Sequence, residues 1–192
     1  GGYGALALAM DHPDVFGALA CHSGDVLFEY CYRVDFPKAC SGMQAAGGAR
    51  AFLEAFEGKP QKGHDDFLAI NILGMAACYS PDPAAELGIA LPFDIVTGAP
   101  RDDVFARWLA HDPLRMLPAH EAALRGMALV YLDCGTRDEF HLHHGARAFV
   151  RELVARGITH HYEEYADGHM NVSYRYSTSL PLLARALTPA SP

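Results

Sequence analysis

Apolar residues along the chain fall into two kinds of block. Ala146, Phe149, Val150, Leu153 and Val154 recur at i, i+3, i+4, i+7 and i+8, which puts all five on one helical face. Gly157 stands where such a helix stops. Met127 to Asp133 is instead an unbroken β-rich run between Gly126 and Gly135, the pattern of a buried strand. Phe16 to Cys21 and His161 to Tyr165 read as two more strands. Small apolar residues from Gly1 to Met10 suit a helix lying close on a sheet, ended by Asp11-His12-Pro13-Asp14. Val104 to Ala110 reads as helix. Helical segments close the chain near Leu187, with Pro181 expected in the first turn of the last one. Buried strands alternating with helices predict an α/β fold with a mostly parallel sheet.

Between those blocks the texture changes. Residues 25–91 show no regular strand alternation and read as a helical insertion or lid within the α/β domain. Helices are expected over Ala49 to Phe56 and His64 to Tyr79, the second with Phe67, Leu68, Ile72 and Met75 on one side. Ser80-Pro81-Asp82-Pro83 then breaks the chain, and Leu91 to Val96 reads as a strand leading into Gly98-Ala99-Pro100.

Composition narrows the class. Of 192 residues, 51% are hydrophobic and 20% charged, a globular balance that excludes disordered and low-complexity readings. A net charge of −8 argues against a nucleic-acid partner, which needs a basic stripe. No uncharged apolar run approaches the ~18–20 residues that cross a bilayer, so no membrane partner is expected. Five cysteines without C-x-x-C spacing favour reduced thiols, and with them a cytoplasmic setting, over a disulfide framework.

In parallel sheets, ligand sites gather beyond the carboxyl ends of the strands. Two polar turns qualify: Cys134 to Phe140 after the strongest strand, and Asp167 to Asn171 after the next. A carboxylate from one and an imidazole from the other can meet there, as an orienting acid and a general base must. The plain alternative is a solvated loop histidine, one of 11 in the chain.

Specific phrases carry a further likeness. Gly1-Gly2-Tyr3-Gly4-Ala5-Leu6 resembles the stretch just after the nucleophile in α/β-hydrolases of the putative esterase (esterase D-like) family. There the elbow G-x-S-x-G runs on as G-Y-G-A-L into a helix and a phrase like His12-Pro13-Asp14-Val15-Phe16. Ser23-Gly24, the segment Trp108 to Pro113, the turn Gly135 to Phe140 and the phrase Asp167 to Arg175 are similar to that family too. The resemblance implies an α/β-hydrolase fold, ester hydrolysis through an acyl-serine, no cofactor and a small-molecule ester as partner. It implies Asp138 as the triad acid and His169 as the base. Asp133, Glu139 and Asp167 are rival acids. Asp133 lies inside a strand run, and Asp167 is only two residues from His169, so a partner more distant in sequence fits better.

One departure bears on function. Aligned in this way, Gly1 is the last glycine of the elbow, so the nucleophilic serine and the early strands would precede the chain. Neither Ser23 nor Ser41 has glycines two residues away on both sides. The chain by itself is therefore expected to be an inactive C-terminal part of an esterase, prone to self-association through uncovered apolar surface. A non-catalytic binding module or an acyltransferase on the same scaffold are the alternatives. Tyr3 and Trp108 are candidates to line an acyl pocket, although aromatics in such segments usually belong to the core. His141, His143, His144, His160 and His161 lack the carboxylate or cysteine spacing that completes a metal site, and no metal is expected.

Overall fold

Two largely apolar runs and one polar, aromatic segment build the sheet, and the helices between them bring it into parallel order. The computed structural model describes residues 1–188. It begins with helix α1 (Gly2–Asp11), strand β1 (Ala18–His22) and short helix α2 (Phe28–Cys31). Helices α3 (Phe36–Ala46), α4 (Ala49–Gly58), α5 (His64–Tyr79) and α6 (Asp102–Leu109) follow. Helix α7 (Pro113–Gly126), β2 (Leu129–Gly135), α8 (Leu142–Ala155), β3 (His161–Tyr165) and α9 (Tyr176–Leu187) complete the described chain.

The chain divides into two units. The first joins Gly1–Cys31 to the segment from Asp112 onward and holds the sheet, ordered β1-β2-β3 with both pairings parallel. Central β2 is buried from Val130 to Gly135, as a strand covered on both faces must be. Leu6 and Met10 of α1, Leu19 of β1, Leu132 of β2, and Phe149 and Leu153 of α8 share one core. Val154, expected on the buried face of α8, is 65% exposed. It stands at the rim of the stripe, and the helix ends one residue later. Gly157 takes φ +62°, the left-handed geometry of a helix stop.

The second unit spans Tyr32–His111, against the 25–91 read from texture. Its limits shift because Val26 and Phe28 are buried within the sheet-bearing unit, whereas Phe105 and Trp108 are core residues of the helical one. Small residues on α3 and α5, Ala39, Ala69 and Ala76, are fully buried and let those two helices pack closely. Phe67 points outward at 55% exposure and meets Phe56 of α4 edge-on, instead of joining Leu68 and Ile72 inside.

Two further expectations are corrected. Leu91 to Val96 forms no strand, only an isolated bridge of Phe93 to Pro100. Pro92 lacks a ladder donor, and the Asp94 carboxylate accepts the N–H groups of Val96 (3.0 Å) and Thr97 (2.7 Å), a local alternative to strand pairing. Pro181 lies in the interior of α9, because that helix starts earlier, directly after a 3-10 turn over Ser173–Arg175. Pro181 and Ser177, whose carbonyl loses its helical partner there, are both exposed.

Candidate active site

Because β2 and β3 run parallel and adjacent, the turns that follow them leave from the same end of the sheet. Main-chain bonds then tie the turns together. Thr136 N–H donates to the Tyr165 carbonyl (2.9 Å), and Arg137 N–H donates to that of Asp167 (3.0 Å). Gly135 permits this approach: a Cβ there would lie 2.4 Å from the Asp167 carbonyl oxygen and 2.5 Å from that of Gly168.

This contact delivers Asp138 to His169. The Asp138 side chain is fully buried, and its Oδ1 accepts the N–H groups of Phe140 (2.9 Å) and Leu142 (3.4 Å). Its Oδ2 lies 3.0 Å from His169 Nδ1. An ionised carboxylate can only accept, so Nδ1 carries the proton and Nε2 keeps its lone pair. Burial pushes the Asp138 carboxyl upward, but the bonds from His169, Phe140 and Leu142 outweigh it and hold the group below the usual carboxylate range. The hydrogen bond to Asp138 raises His169 above the ordinary imidazole value against the effect of burial, and the charges of Asp138, Asp25 and Glu139 add to the rise.

The rival acids are committed elsewhere. Glu139 accepts the main-chain N–H of His169 at 2.7 Å, not the ring. Asp167 takes the N–H of its neighbour Gly168 (2.9 Å) and the Tyr174 hydroxyl (3.2 Å). Asp133 serves another histidine, His22.

His169 lines a cleft of about 420 Å³ together with Gly2, Tyr3, His22, Ser23, Asp25 and Tyr176. Among the described residues, no hydrogen bond occupies Nε2. Gly1 and Gly2 bring the N-terminus of α1 to the cleft, where the helix dipole favours negative charge. Ser23, at φ +44°, has its hydroxyl within 3.5 Å of Cys134 Sγ. A non-glycine residue held in that region beside a cleft is local strain kept by its surroundings.

Over residues 1–181 the chain matches the model of a protein family described as "Putative esterase". The chain belongs to this esterase family. Among solved structures it is similar to a ferulic acid esterase, with 16% identity and a TM-score of 0.50. That match covers 97% of this chain and 49% of the other, so the chain spans about half that esterase's length. At this identity the likeness is one of fold, the α/β-hydrolase type. No curated protein matches the chain.

In this member of the esterase family, the two aromatic candidates part company. Tyr3 lines the cleft, its ring 5.9 Å from that of Phe28. Trp108 does not: it is fully buried in the helical unit, packed by Phe36, Tyr79 and Phe105, with its indole N–H donated to Ser80 Oγ at 2.8 Å. It has no surface to offer an acyl group, which corrects the sequence reading. Among the described residues, no three His, Cys, Asp or Glu side chains converge as a metal site.

A second histidine–carboxylate pair escaped the sequence reading. His22 Nδ1 lies 2.8 Å from Asp133 Oδ1, and His22 Nε2 lies 2.9 Å from the buried Ser179 hydroxyl of α9. Asp133 Oδ2 also accepts from Tyr131 Oη (2.9 Å) and Arg175 Nε (2.8 Å). Both nitrogens of His22 are thus engaged. The network ties the segment after His169 back to β1 and β2. Its signal lay in strand register, since His22 and Asp133 are parallel-ladder partners.

Proposed function

We propose that the chain supplies the acid and base of a serine carboxylic ester hydrolase. The observation that carries this reading is the 3.0 Å contact between His169 Nδ1 and Asp138 Oδ2, with His169 on the cleft. In the first step His169 Nε2 takes the hydroxyl proton as a serine oxygen attacks the ester carbonyl. Asp138 stabilises the imidazolium, which then protonates the leaving alcohol. Water deacylates the serine by the same steps, so His169 ends neutral as it began. No serine of the chain stands in a G-x-S-x-G elbow. The attacking serine therefore comes from residues outside 1–192, and the chain alone is inactive. The 49% coverage of the ferulic acid esterase is in keeping with that division.

The test compares residues 1–192 with a polypeptide extended at its N-terminus by its natural reading frame, using p-nitrophenyl acetate. The extended form is expected to hydrolyse the ester and to lose activity with His169→Ala. Hydrolysis by residues 1–192 that disappears in His169→Ala would overturn the assignment of the serine to another segment. Full activity in the extended His169→Ala variant would overturn His169 as the base.

A further inference from the structure

We propose that Glu139 is the positioning residue for His169, holding the main chain of the residue whose ring Asp138 holds. The proposal rests on His169 acting as the base. Adjacent residues of one turn grip one histidine at two points. Asp138 Oδ2 meets Nδ1 at 3.0 Å, and Glu139 Oε2 accepts the main-chain N–H at 2.7 Å.

An imidazole pinned at one nitrogen can still swing about that hydrogen bond as its main chain moves. A second fixed point on the main chain removes the swing and sets the direction of Nε2. Base catalysis is sensitive to that direction, because proton transfer requires a short, aligned donor–acceptor pair.

The surroundings are shaped for this grip. Gly168 presents only hydrogen to the Glu139 carboxylate, and a Cβ there would sit 2.5 Å from Oε1. The backbone of Asp167 and Gly168 is itself seated against Gly135. Beyond His169 the chain has no strand or helix to stiffen it until Ser173, and Asn171 turns it at φ +60°. Glu139 is solvent-exposed, where charge effects are screened, so its hydrogen bond matters more than its field at the ring.

Two variants and two readouts test the proposal. Glu139→Ala removes the acceptor; Glu139→Gln keeps an acceptor and removes the charge. In the extended, ester-hydrolysing polypeptide, Glu139→Ala is expected to lower kcat roughly tenfold with KM within about twofold, the effect of losing a bond to a charged acceptor. Amide exchange at His169, followed by NMR, should accelerate by a similar factor. Glu139→Gln should recover most of both.

Wild-type kcat and exchange in Glu139→Ala would overturn the proposal. So would a Gln variant as impaired as the Ala variant, since charge and not position would then be at work. If His169→Ala leaves hydrolysis intact, the reading of His169 as base fails separately. The exchange rate still decides the grip: unchanged protection in Glu139→Ala refutes it, and lost protection upholds it.

Discussion

His169 Nδ1 lies 3.0 Å from Oδ2 of Asp138, a carboxylate whose side chain is wholly buried while the imidazole is 32% exposed. The carboxylate is buried and the imidazole lines the cleft. Two main-chain N–H groups hold the other Asp138 oxygen. The ring meets this carboxylate at Nδ1 and leaves Nε2 outside the contact.

Replacing Asp138 by Asn should therefore do more than remove charge. The amide can present N–H to Nδ1 and favour the tautomer with its proton on Nε2, which cannot accept one from serine. In the ester-hydrolysing polypeptide, kcat should fall by roughly 10³–10⁴. A loss below tenfold in saturating p-nitrophenyl acetate would assign the orienting role elsewhere.

The pH dependence of activity follows from the raised imidazole. In the proposed mechanism neutral His169 is the working form, so kcat/KM should rise with pH through a midpoint above the ordinary histidine value of about 6.5. In Asp138→Asn that midpoint should move down. A midpoint unaffected by the substitution would uncouple the two side chains.

Stability responds to the same pair with its own signs. Asp138 is held below its ordinary value, so its contribution is full above about 4 and is lost as pH falls through the depressed folded-state value. His169 is held above its ordinary value, so its contribution is full below about 6.5 and is lost as pH rises through the raised one. The difference in urea midpoint between wild type and His169→Ala should be widest between about pH 4 and 6.5 and shrink on both sides.

Arg175 should be a stability residue. Its side chain is 12% exposed and is paired with the buried Asp133 and with Glu163. Arg175→Ala leaves the Asp133 carboxylate short of a partner and should cost about 3 kcal/mol in denaturant unfolding. Ser179→Ala removes one hydrogen bond to His22 and should cost about 1 kcal/mol. Equal losses in the two variants would contradict the network as drawn.

Two glycines should behave differently under the same change. Gly135→Ala drives a methyl group into the backbone carbonyls of Asp167 and Gly168, which cannot move without displacing His169. It should cost about 1–3 kcal/mol and most of the activity. Gly168→Ala meets the end of the Glu139 side chain, which can swing away. Thermal melts should show the smaller loss there.

β1, β2 and α8 were legible because each carries its own periodicity or apolar run, and the two polar turns because of their place after strand segments. Asp138 and His169 became candidates from the two polar turns together with the family likeness, and the structure brings their side chains together. Other features depended on contacts between distant residues. Trp108 reads as a pocket aromatic until the Ser80 hydroxyl and the rings of Tyr32, Phe36, Tyr79 and Phe105 claim it. The pairing of His22 with Asp133 is 111 positions apart in the chain and appears only once the register of β1 on β2 is known. Leu91 to Val96 misled because local side-chain bonding to the backbone can outcompete strand pairing.

The ladder between β2 and β3 sets Tyr131 against His161 and Gly135 against Tyr165. Each step along a parallel strand is about 3.3 Å, so a slip of one residue would carry Asp138 beyond hydrogen-bonding reach of His169. Turnover in the proposed ester-hydrolysing polypeptide would then double as a gauge of folding fidelity. Chains that have paired these strands out of step would register as silent molecules in an active-site titration, however soluble and helical they remain.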